Sequence, residues 1–545
     1  MQQSLEDHTQ CVLFVIIYMS ENSETRKPKS AIMQLMTDRS GFMDQKKREA
    51  LFRAFAAHDK RFDGKVFVGV TTTGIYCRPV CTARMPKFEN CIFFKSAAEA
   101  EQAGFRPCKT CRPELAPDDN GQDHDRIAHK TASYIEKNCS LNESMEYIAR
   151  KFGFSLRRLR RIFKEEFNVT MIKYQQTCRL LLAKKLLTET DLSVTEIAAA
   201  SGFGSVRRLN ETFRGKYRMA PGELRNRKKE VSMYSGSIDI GIGYRSPYIW
   251  GELLDFLRLR AIGGVEYVDE KSYSRIIRKK DKAGSDVFGW IRVRNVPDRD
   301  MLRVEISESL MPVLSGVIDD VKRMFDTGCD PVEISGKLRS VSRVCNGGFR
   351  EGTRLPGSTD GFEICVRAVL GQQITVRAAR TLAERFVLHF GVPVQTSVPG
   401  AGAAECSTDA EDSGDGDLRY AFPSASEVCR LEGRIEDHLG PLGITASRAR
   451  AIKAIAEMCA EGQIDWEQDE AKEVMDKLLK IRGIGPWTAK YIVMRAMSYP
   501  DVFLENDAGV KKGLAGLSAK EAAAAAEEWR PWRSYAVMNI WNSLS

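Results

Sequence analysis

The chain has 545 residues, 43% of them hydrophobic and 28% charged, with a formal net charge of +9. At ~150 residues per domain this length predicts three or four domains. Arg and Lys crowd between residues 150 and 230, which favours a nucleic-acid partner over a membrane surface or a small acidic substrate. The run Cys11 to Met19 is apolar but about half the length a bilayer span needs. It follows Glu6 and Asp7 and not a basic stretch, so neither a span nor a signal peptide is expected. Residues 1–45 carry no clear period and read as disordered, or as lying ahead of a true start at Met33, Met36 or Met43. A cytoplasmic, reducing setting follows from mostly scattered cysteines.

From Lys46 an amphipathic helix leads into a strand pattern at Val66, Val68 and Val70. Cys77-x3-Cys81 and Cys108-x2-Cys111 come next. Two short-spaced pairs across a loop are the pattern of a four-thiolate zinc site. Cys91 falls in a strand and reads as buried packing. A polar linker, Asp118 to Asp123, closes the segment 46–117.

Residues 124–228 are helical and contain one unit written twice, SMEYIARKFGFSLRRLRRIF and SVTEIAAASGFGSVRRLNETF. Each has a small-residue helix, a turn with Gly-Phe, and a basic helix with apolar spacing of three and four. That is a helix-turn-helix in tandem. Ser155 and Ser205 sit where an N-cap would start each basic helix. Arg157, Arg158, Arg160, Arg161, Arg207 and Arg208 then face DNA, while Leu159, Ile162, Phe163, Leu209 and Phe213 face the core.

Residues 233–355 switch to alternating patterns at Ser237–Ile240, Ser274–Ile277, Asp286–Arg294 and Leu302–Ile306. They predict an antiparallel sheet with helices over Pro247–Leu259 and Leu310–Asp326. Residues 356–545 are helical, interrupted by an acidic, Gly- and Ser-rich insertion at 396–417 that reads as disordered. Within them, LKIRGIGPWTAKYIVMR sets two helices about a turn with Gly483 and Gly485. Its backbone N–H groups are placed to grip a phosphate at a helix N-terminus. Asp507 follows the apolar Val502-Phe503-Leu504.

These stretches carry resemblances. TTGIYCRPVC and AGFRPCKTCRPE resemble the N-terminal metal-binding domain of Ada-type alkylation-response proteins, and the tandem helices resemble the AraC-type DNA-binding domain. GIGPWTAKYIVMR, DVFL and RPWRSYAVMNIW resemble the helix-hairpin-helix 3-methyladenine DNA glycosylase II (AlkA) family. Together they imply a multidomain α+β protein: a zinc domain, an all-α double helix-turn-helix, an α+β subdomain and an all-α helix-hairpin-helix domain. They further imply zinc on Cys77, Cys81, Cys108 and Cys111, with Cys77 taking a methyl group from a methylphosphotriester, and Arg84 and Arg106 facing DNA. In the glycosylase half Asp507 becomes the catalytic carboxylate, and Trp487, Tyr491 and Trp541 become the base pocket. Gln373 stands at the place of a wedge.

Trp487 occupies the position where bifunctional relatives carry a nucleophilic Lys, so an enzyme that does not cut the strand is implied. No Pro-Cys-His-Arg segment occurs, so direct repair of O6-alkylguanine is not expected. The expected activity is hydrolysis of the bond between an alkylated purine and its sugar. The expected partners are double-stranded DNA and, for a transcriptional activator, RNA polymerase. The chain is expected to act as a monomer without a membrane. The rival expectation is a regulator carrying a glycosylase-like scaffold.

Overall fold

The computed structural model describes residues 45–117, 127–225, 236–345, 348–395, 418–514 and 516–544. They fall into an N-terminal unit ending at Arg53 and a second unit from Ala54 onward. The first is seen only as the opening of helix α1 (Gln45–Ala56). Residues 1–44, the linker 118–123 and the insertion 396–417, for which disorder or a polar linker is expected, lie outside the described residues. No described helix is long and apolar enough to cross a membrane.

In the second unit, β1 (Phe67–Val70), β2 (Ile75–Cys77), β3 (Cys91–Phe94) and β4 (Arg106–Pro107) form a sheet in the order β3-β1-β2-β4, with α2 (Ala97–Gln102) between β3 and β4. The strand expected from Val66 starts at Phe67. Gly69 has no side chain for a reason: a Cβ there would stand 2.7 Å from the Phe94 ring and 2.9 Å from Phe105. Cys91 is fully buried in β3, as expected.

The tandem unit appears as α3 (Ile127–Lys137), α4 (Met145–Lys151), α5 (Leu156–Phe167), the central α6 (Met171–Glu189), α7 (Val194–Ala200), α8 (Val206–Tyr217) and the single turn α9 (Pro221–Leu224). Ser155 and Ser205 cap α5 and α8, accepting from the backbone N–H of Arg158 and Arg208 at 3.4 and 3.2 Å. Leu159, Phe163, Leu209 and Phe213 are fully buried, and Ile162 is half-buried. The apolar spacing therefore points inward as expected.

Next comes the antiparallel sheet β5-β9-β8-β7-β6, built from β5 (Ser237–Gly243), β6 (Glu266–Val268), β7 (Ser272–Lys280), β8 (Asp286–Val296) and β9 (Met301–Ser307). Strand β6 adds an edge the alternation did not reveal. Helix α10 (Trp250–Arg258) starts three residues after Pro247. The helix expected from Leu310 opens as a tight 3-10 turn over Glu308–Val313, where Pro312 removes a donor, and becomes α11 (Leu314–Met324). Helix α12 (Pro331–Leu338) follows.

The C-terminal part holds α13 (Gly361–Leu370), α14 (Val376–Phe390), the paired β10 (Val392–Pro393) and β11 (Tyr420–Ala421), α15 (Ala425–Cys429), α16 (Ile435–Leu439), α17 (Ala446–Ala460), α18 (Ala471–Leu479), α19 (Pro486–Ala496), α20 (Ala508–Gly513), α21 (Ala519–Ala526) and α22 (Arg533–Asn542). Trp529 and Trp532 are core, 1% and 6% exposed. A buried ion cluster fixes the sheet to α13. Arg275 of β7 meets Glu363 at 2.7 Å, and Arg367 meets Glu363 at 2.6 Å and also Glu266.

Polar contacts join these segments. Glu189 of α6 takes Arg112 at 2.6 Å and the Gly241 N–H of β5 at 2.9 Å. Arg245 donates to the Asp63 carbonyl at 2.6 and 3.0 Å. Glu101 of α2 is a buried node: Tyr76, Thr177 of α6 and Tyr217 of α8 donate to its carboxylate at 3.2, 3.3 and 3.4 Å. Burial pushes this carboxyl up to about 7, against the pull of Lys216 and the three hydroxyls. The folded protein thus holds a proton that the unfolded chain, titrating near 4.5, has lost. That contribution to stability is complete below the unfolded value and disappears as pH rises through about 7. At 1.36 kcal/mol per pH unit it amounts to roughly 3 kcal/mol. Glu101→Gln is expected to flatten the fall in denaturation midpoint between pH 5 and pH 8. Superimposable pH profiles for variant and wild type would show that the node does not titrate.

Candidate functional site

Asp507 opens α20 as its N-cap. Its Oδ1 accepts from the Val510 N–H at 2.9 Å and from the Trp541 indole at 2.8 Å. Its Oδ2 accepts from the Trp487 indole at 3.0 Å. Three fixed donors aim the carboxylate. The loop that delivers it is pinned by buried Val502, Phe503 and Leu504. It is tied to α22 by Ser534, which accepts from Val502 N–H at 3.0 Å, and by Arg533, whose Nε meets Asp501 at 2.6 Å. Trp541 lies two turns further along the same helix. This explains why DVFL and RPWRSYAVMNIW act as one unit. Gly509 makes the approach possible: a Cβ there would lie 2.8 Å from the Trp541 ring and 3.1 Å from Asp507 Oδ1.

Trp487 and Tyr491 stand one turn apart on α19 and stack on each other, centroids 5.2 Å apart and planes 9° apart. Trp541 tilts toward Tyr491 at 6.4 Å. With Asp507 they line a cavity of about 440 Å³. The four residues expected at the base site are therefore together. Two wall residues, Arg495 and Arg260, were not foreseen. Arg495, one turn beyond Tyr491, donates to its hydroxyl at 3.2 Å and to the Pro356 carbonyl at 2.6 Å. Arg260 lies over the Phe256 ring at 3.8 Å, and Arg495 over the same ring at 4.8 Å. Arg260 stands two residues past the end of α10 and Arg495 on α19.

The hairpin turn lies outside that cavity. Gly483 has φ 98°, a left-handed value that favours glycine. Gly485 has φ −93° and caps α19, and a Cβ there would meet nothing within 4 Å. The two glycines were expected to let the turn's backbone come close to another group; Gly483 absorbs the reversal of the chain, and Gly485 leaves the space beside it clear. The space at Gly485 is open to an outside group. Gln373 is exposed with φ 56°. Its neighbour Gln372 donates to the Gly483 carbonyl at 2.9 Å and to Thr488 at 3.0 Å, so this loop and the hairpin form one rim.

The ligand atoms of Cys77, Cys81, Cys108 and Cys111 all lie within 4.8 Å of one another, with Cys81 and Cys108 sulfurs 4.0 Å apart. A tetrahedral zinc with Zn–S near 2.3 Å places its sulfurs just under 4 Å apart, so the four thiols fit zinc. The Arg78 N–H donates to the Cys111 sulfur at 3.3 Å, while its guanidinium grips Asp63 at 2.8 Å. Cys77 is 6% exposed and Cys111 half-buried. Arg84 is exposed and Arg106 half-buried in β4.

Arg157, Arg158, Arg207 and Arg208 are exposed on α5 and α8. Arg207 meets Glu211 at 2.8 Å and Arg158 rests over Phe154 at 4.9 Å. Exposed pairs of this kind are worth a few tenths of a kcal/mol and leave the guanidiniums available to phosphates. Alanine at all four positions is expected to weaken DNA binding and flatten the log–log salt slope by about one unit per lost contact. Unchanged affinity and slope in a salt titration would place these helices away from DNA.

The family profile for the metal binding domain of Ada matches residues 50–114, that for a helix-turn-helix domain residues 148–227, and that for the AlkA N-terminal domain residues 239–360. The chain is 31% identical over 303 residues to DNA-3-methyladenine glycosylase 2 of Escherichia coli (strain K12), covering 55% of this chain and 95% of that protein. The chain belongs to that glycosylase family. Beyond the glycosylase II part, it is 31% identical over 188 residues to the "Bifunctional transcriptional activator/DNA repair enzyme AdaA" of Bacillus subtilis, covering 34% of this chain and 86% of that protein. Both parts occur joined in the "Probable bifunctional transcriptional activator/DNA repair enzyme AlkA" of Mycobacterium tuberculosis (strain ATCC 25618 / H37Rv). That protein is 29% identical over 516 residues, 91% of this chain and 96% of its own length.

Proposed function

We propose that the chain is a DNA glycosylase that hydrolyses the bond between an alkylated purine and its sugar, fused to a regulator that senses methylphosphotriesters. The observation that carries the first part is Asp507, held by the indoles of Trp487 and Trp541 at the wall of an aromatic cavity. When the base departs, positive charge builds on the sugar. A carboxylate fixed in place before that moment stabilises the charge without reorganising. It also orients the water that adds to C1′. A base positively charged by alkylation leaves without much help, and aromatic faces attract it. The Gly483–Gly485 turn, with Gly485 open to solvent, holds the phosphate backbone, and Gln373 on the adjoining rim fills the space the flipped base vacates.

In the regulator part, Cys77, Cys81, Cys108 and Cys111 would hold zinc, which keeps thiolates deprotonated and nucleophilic at neutral pH. Cys77 takes the methyl group. The O–CH3 bond of the phosphotriester breaks, an S–CH3 bond forms, and a phosphodiester anion leaves. The cluster loses one negative charge, and its repulsion from DNA falls. Arg84 and Arg106 bring it to the backbone, and the tandem helices read double-stranded DNA as a monomer. RNA polymerase is the partner that activation requires. Two measurements test this reading. Purified chain should release free 3-methyladenine from methylated duplex, and no free base would overturn the glycosylase assignment. Peptide mass spectrometry after exposure to methylated DNA should place one methyl on Cys77, and a label on the more exposed Cys111 would overturn that assignment alone.

A further inference from the structure

Both indoles that hold Asp507 rest on a second ring, and Arg495 touches both of those rings. Trp487 donates to Asp507 Oδ2 at 3.0 Å and stacks on Tyr491 with centroids 5.2 Å apart. Trp541 donates to Oδ1 at 2.8 Å and stacks on Phe256 with centroids 6.2 Å and planes 18° apart. Arg495 donates to the Tyr491 hydroxyl at 3.2 Å, and its guanidinium lies over the Phe256 ring at 4.8 Å. Trp487, Tyr491 and Arg495 follow one another at intervals of four along α19, so they share one face of that helix. Phe256 comes from α10 and Trp541 from α22. Arg495 thus joins two supports that arise on separate helices.

Its own place is fixed by the loop ahead of α13. Its Nε donates to the Pro356 carbonyl at 2.6 Å and its Nη2 to the Gly357 carbonyl at 3.4 Å. That loop is tied to the end of α11. The Gly357 N–H donates to the Met324 carbonyl at 3.2 Å, and a Cβ on Gly357 would stand 2.5 Å from the Arg323 carbonyl. A planar guanidinium, with donors on three nitrogens, can hold two carbonyls and a phenol at once. An ammonium, whose donors spring from one atom, cannot. Arg495 is 5% exposed. Burying a charge is costly unless hydrogen bonds satisfy it, and here the bonds that satisfy it also fasten the two rings.

A carboxylate stabilises charge on the sugar only where it is aimed before the bond breaks, and a misplacement of about 1 Å costs on the order of a hundredfold in rate. We propose that Arg495 is a positioning residue. Through Tyr491 and Trp487 on one side, and Phe256 and Trp541 on the other, it sets the direction of the Asp507 carboxylate. It neither gives nor takes a proton, and it acts on the rate only through Asp507. This inference rests on the glycosylase reading of that carboxylate.

The test is single-turnover release of 7-methylguanine from duplex DNA by wild type, Arg495→Lys, Asp507→Asn and the double variant. Arg495→Lys keeps the charge and loses the fork. It is expected to slow release by ~10- to 100-fold, with affinity for the duplex unchanged. In the Asp507→Asn background the same substitution is expected to cost less than about twofold, because a residue that acts through the carboxylate has nothing left to aim. Phe256→Leu loosens the Trp541 side alone. It should slow release by less than Arg495→Lys does and be equally silent beside Asp507→Asn. Should Arg495→Lys melt below the assay temperature, Phe256→Leu carries the comparison. Equal factors in both backgrounds would mean that Arg495 serves the packing of the cavity or meets the base itself, and would overturn the proposal. So would wild-type release by Arg495→Lys, or a loss of affinity that matches the loss of rate. If Asp507→Asn releases base as fast as wild type, the proposal falls together with the catalytic role of Asp507. If wild type releases none, the glycosylase reading falls as well.

Discussion

Removing zinc, or replacing Cys108 with Ala, is expected to unfold residues 54–117. The small sheet packs Phe67, Tyr76, Phe94, Ala100 and Phe105 against one another, and a segment this short holds four short strands poorly unaided. The four thiols join the end of β2, the turn after it and the chain beyond β4. A structural zinc binding free energy of ~10 kcal/mol or more is therefore folding free energy for this segment. Its loss should spread to neighbours: Glu114 meets Lys184 at 2.5 Å, Arg112 meets Glu189, and Glu101 joins Tyr76 to Tyr217. Limited proteolysis under a chelator should first cut between Ala54 and Pro117 and then expose α6 and α8. Metal analysis should find one zinc per chain in wild type and none in Cys108→Ala. Cys91→Ala is the control, since Cys91 is buried in β3 and stands outside the four-thiol group; it should keep its zinc. A chain without zinc, or a Cys108→Ala variant with unchanged protease resistance, would remove the metal from the account.

What was legible in the sequence was what is local. The cysteine pairs, the serine caps and the apolar spacing of α5 and α8 depend on residues a few positions apart. The meeting of Asp507 with Trp541, 34 positions on, follows from no period. It came from the likeness of whole segments to a family. Phe256 and Arg260 belong to a different segment from α19, and in sequence they read as the ordinary faces of an amphipathic helix. Their role depends on how α10 packs beside α19, which spacing cannot reveal. Glu101 sits in AAEAEQ, where acids look like a solvated face, yet it is 1% exposed. It is buried because Tyr76, Thr177 and Tyr217, from three separate elements, converge on it. The strand that was missed has the same origin: β6 is three residues long and pairs only at the sheet edge.

Asp507→Asn is expected to slow base release by ~100- to 1000-fold, or ~3–4 kcal/mol, the usual cost of one well-placed electrostatic stabiliser. Asn keeps the shape and loses the charge that answers the cationic sugar. The structure adds a second loss. All three groups facing the carboxylate are donors, Val510 N–H, Trp541 and Trp487. The amide NH2 must point at one of them, so one donor is left unpaired at a cost of about 1–3 kcal/mol in stability. A lowered melting temperature is therefore expected together with the lost rate, and the rate should be read where both proteins are folded.

DNA affinity should change little, because the proposed phosphate grip is the hairpin turn, which lies outside the cavity. Gly485→Ala should do the reverse. Its Cβ meets nothing within 4 Å in the protein, so the fold should tolerate it. Any loss of affinity then reports an outside group that comes close to this backbone. Gly483→Ala is the contrast: φ 98° and a Ser447 oxygen 3.3 Å from the new Cβ strain the turn itself, so stability should fall with affinity. Equilibrium binding to an uncleaved duplex, single-turnover base release and thermal melting separate the three variants. If Asp507→Asn retains near wild-type release, or loses affinity as severely as Gly485→Ala does, the carboxylate serves only to cap α20 and to anchor two tryptophans.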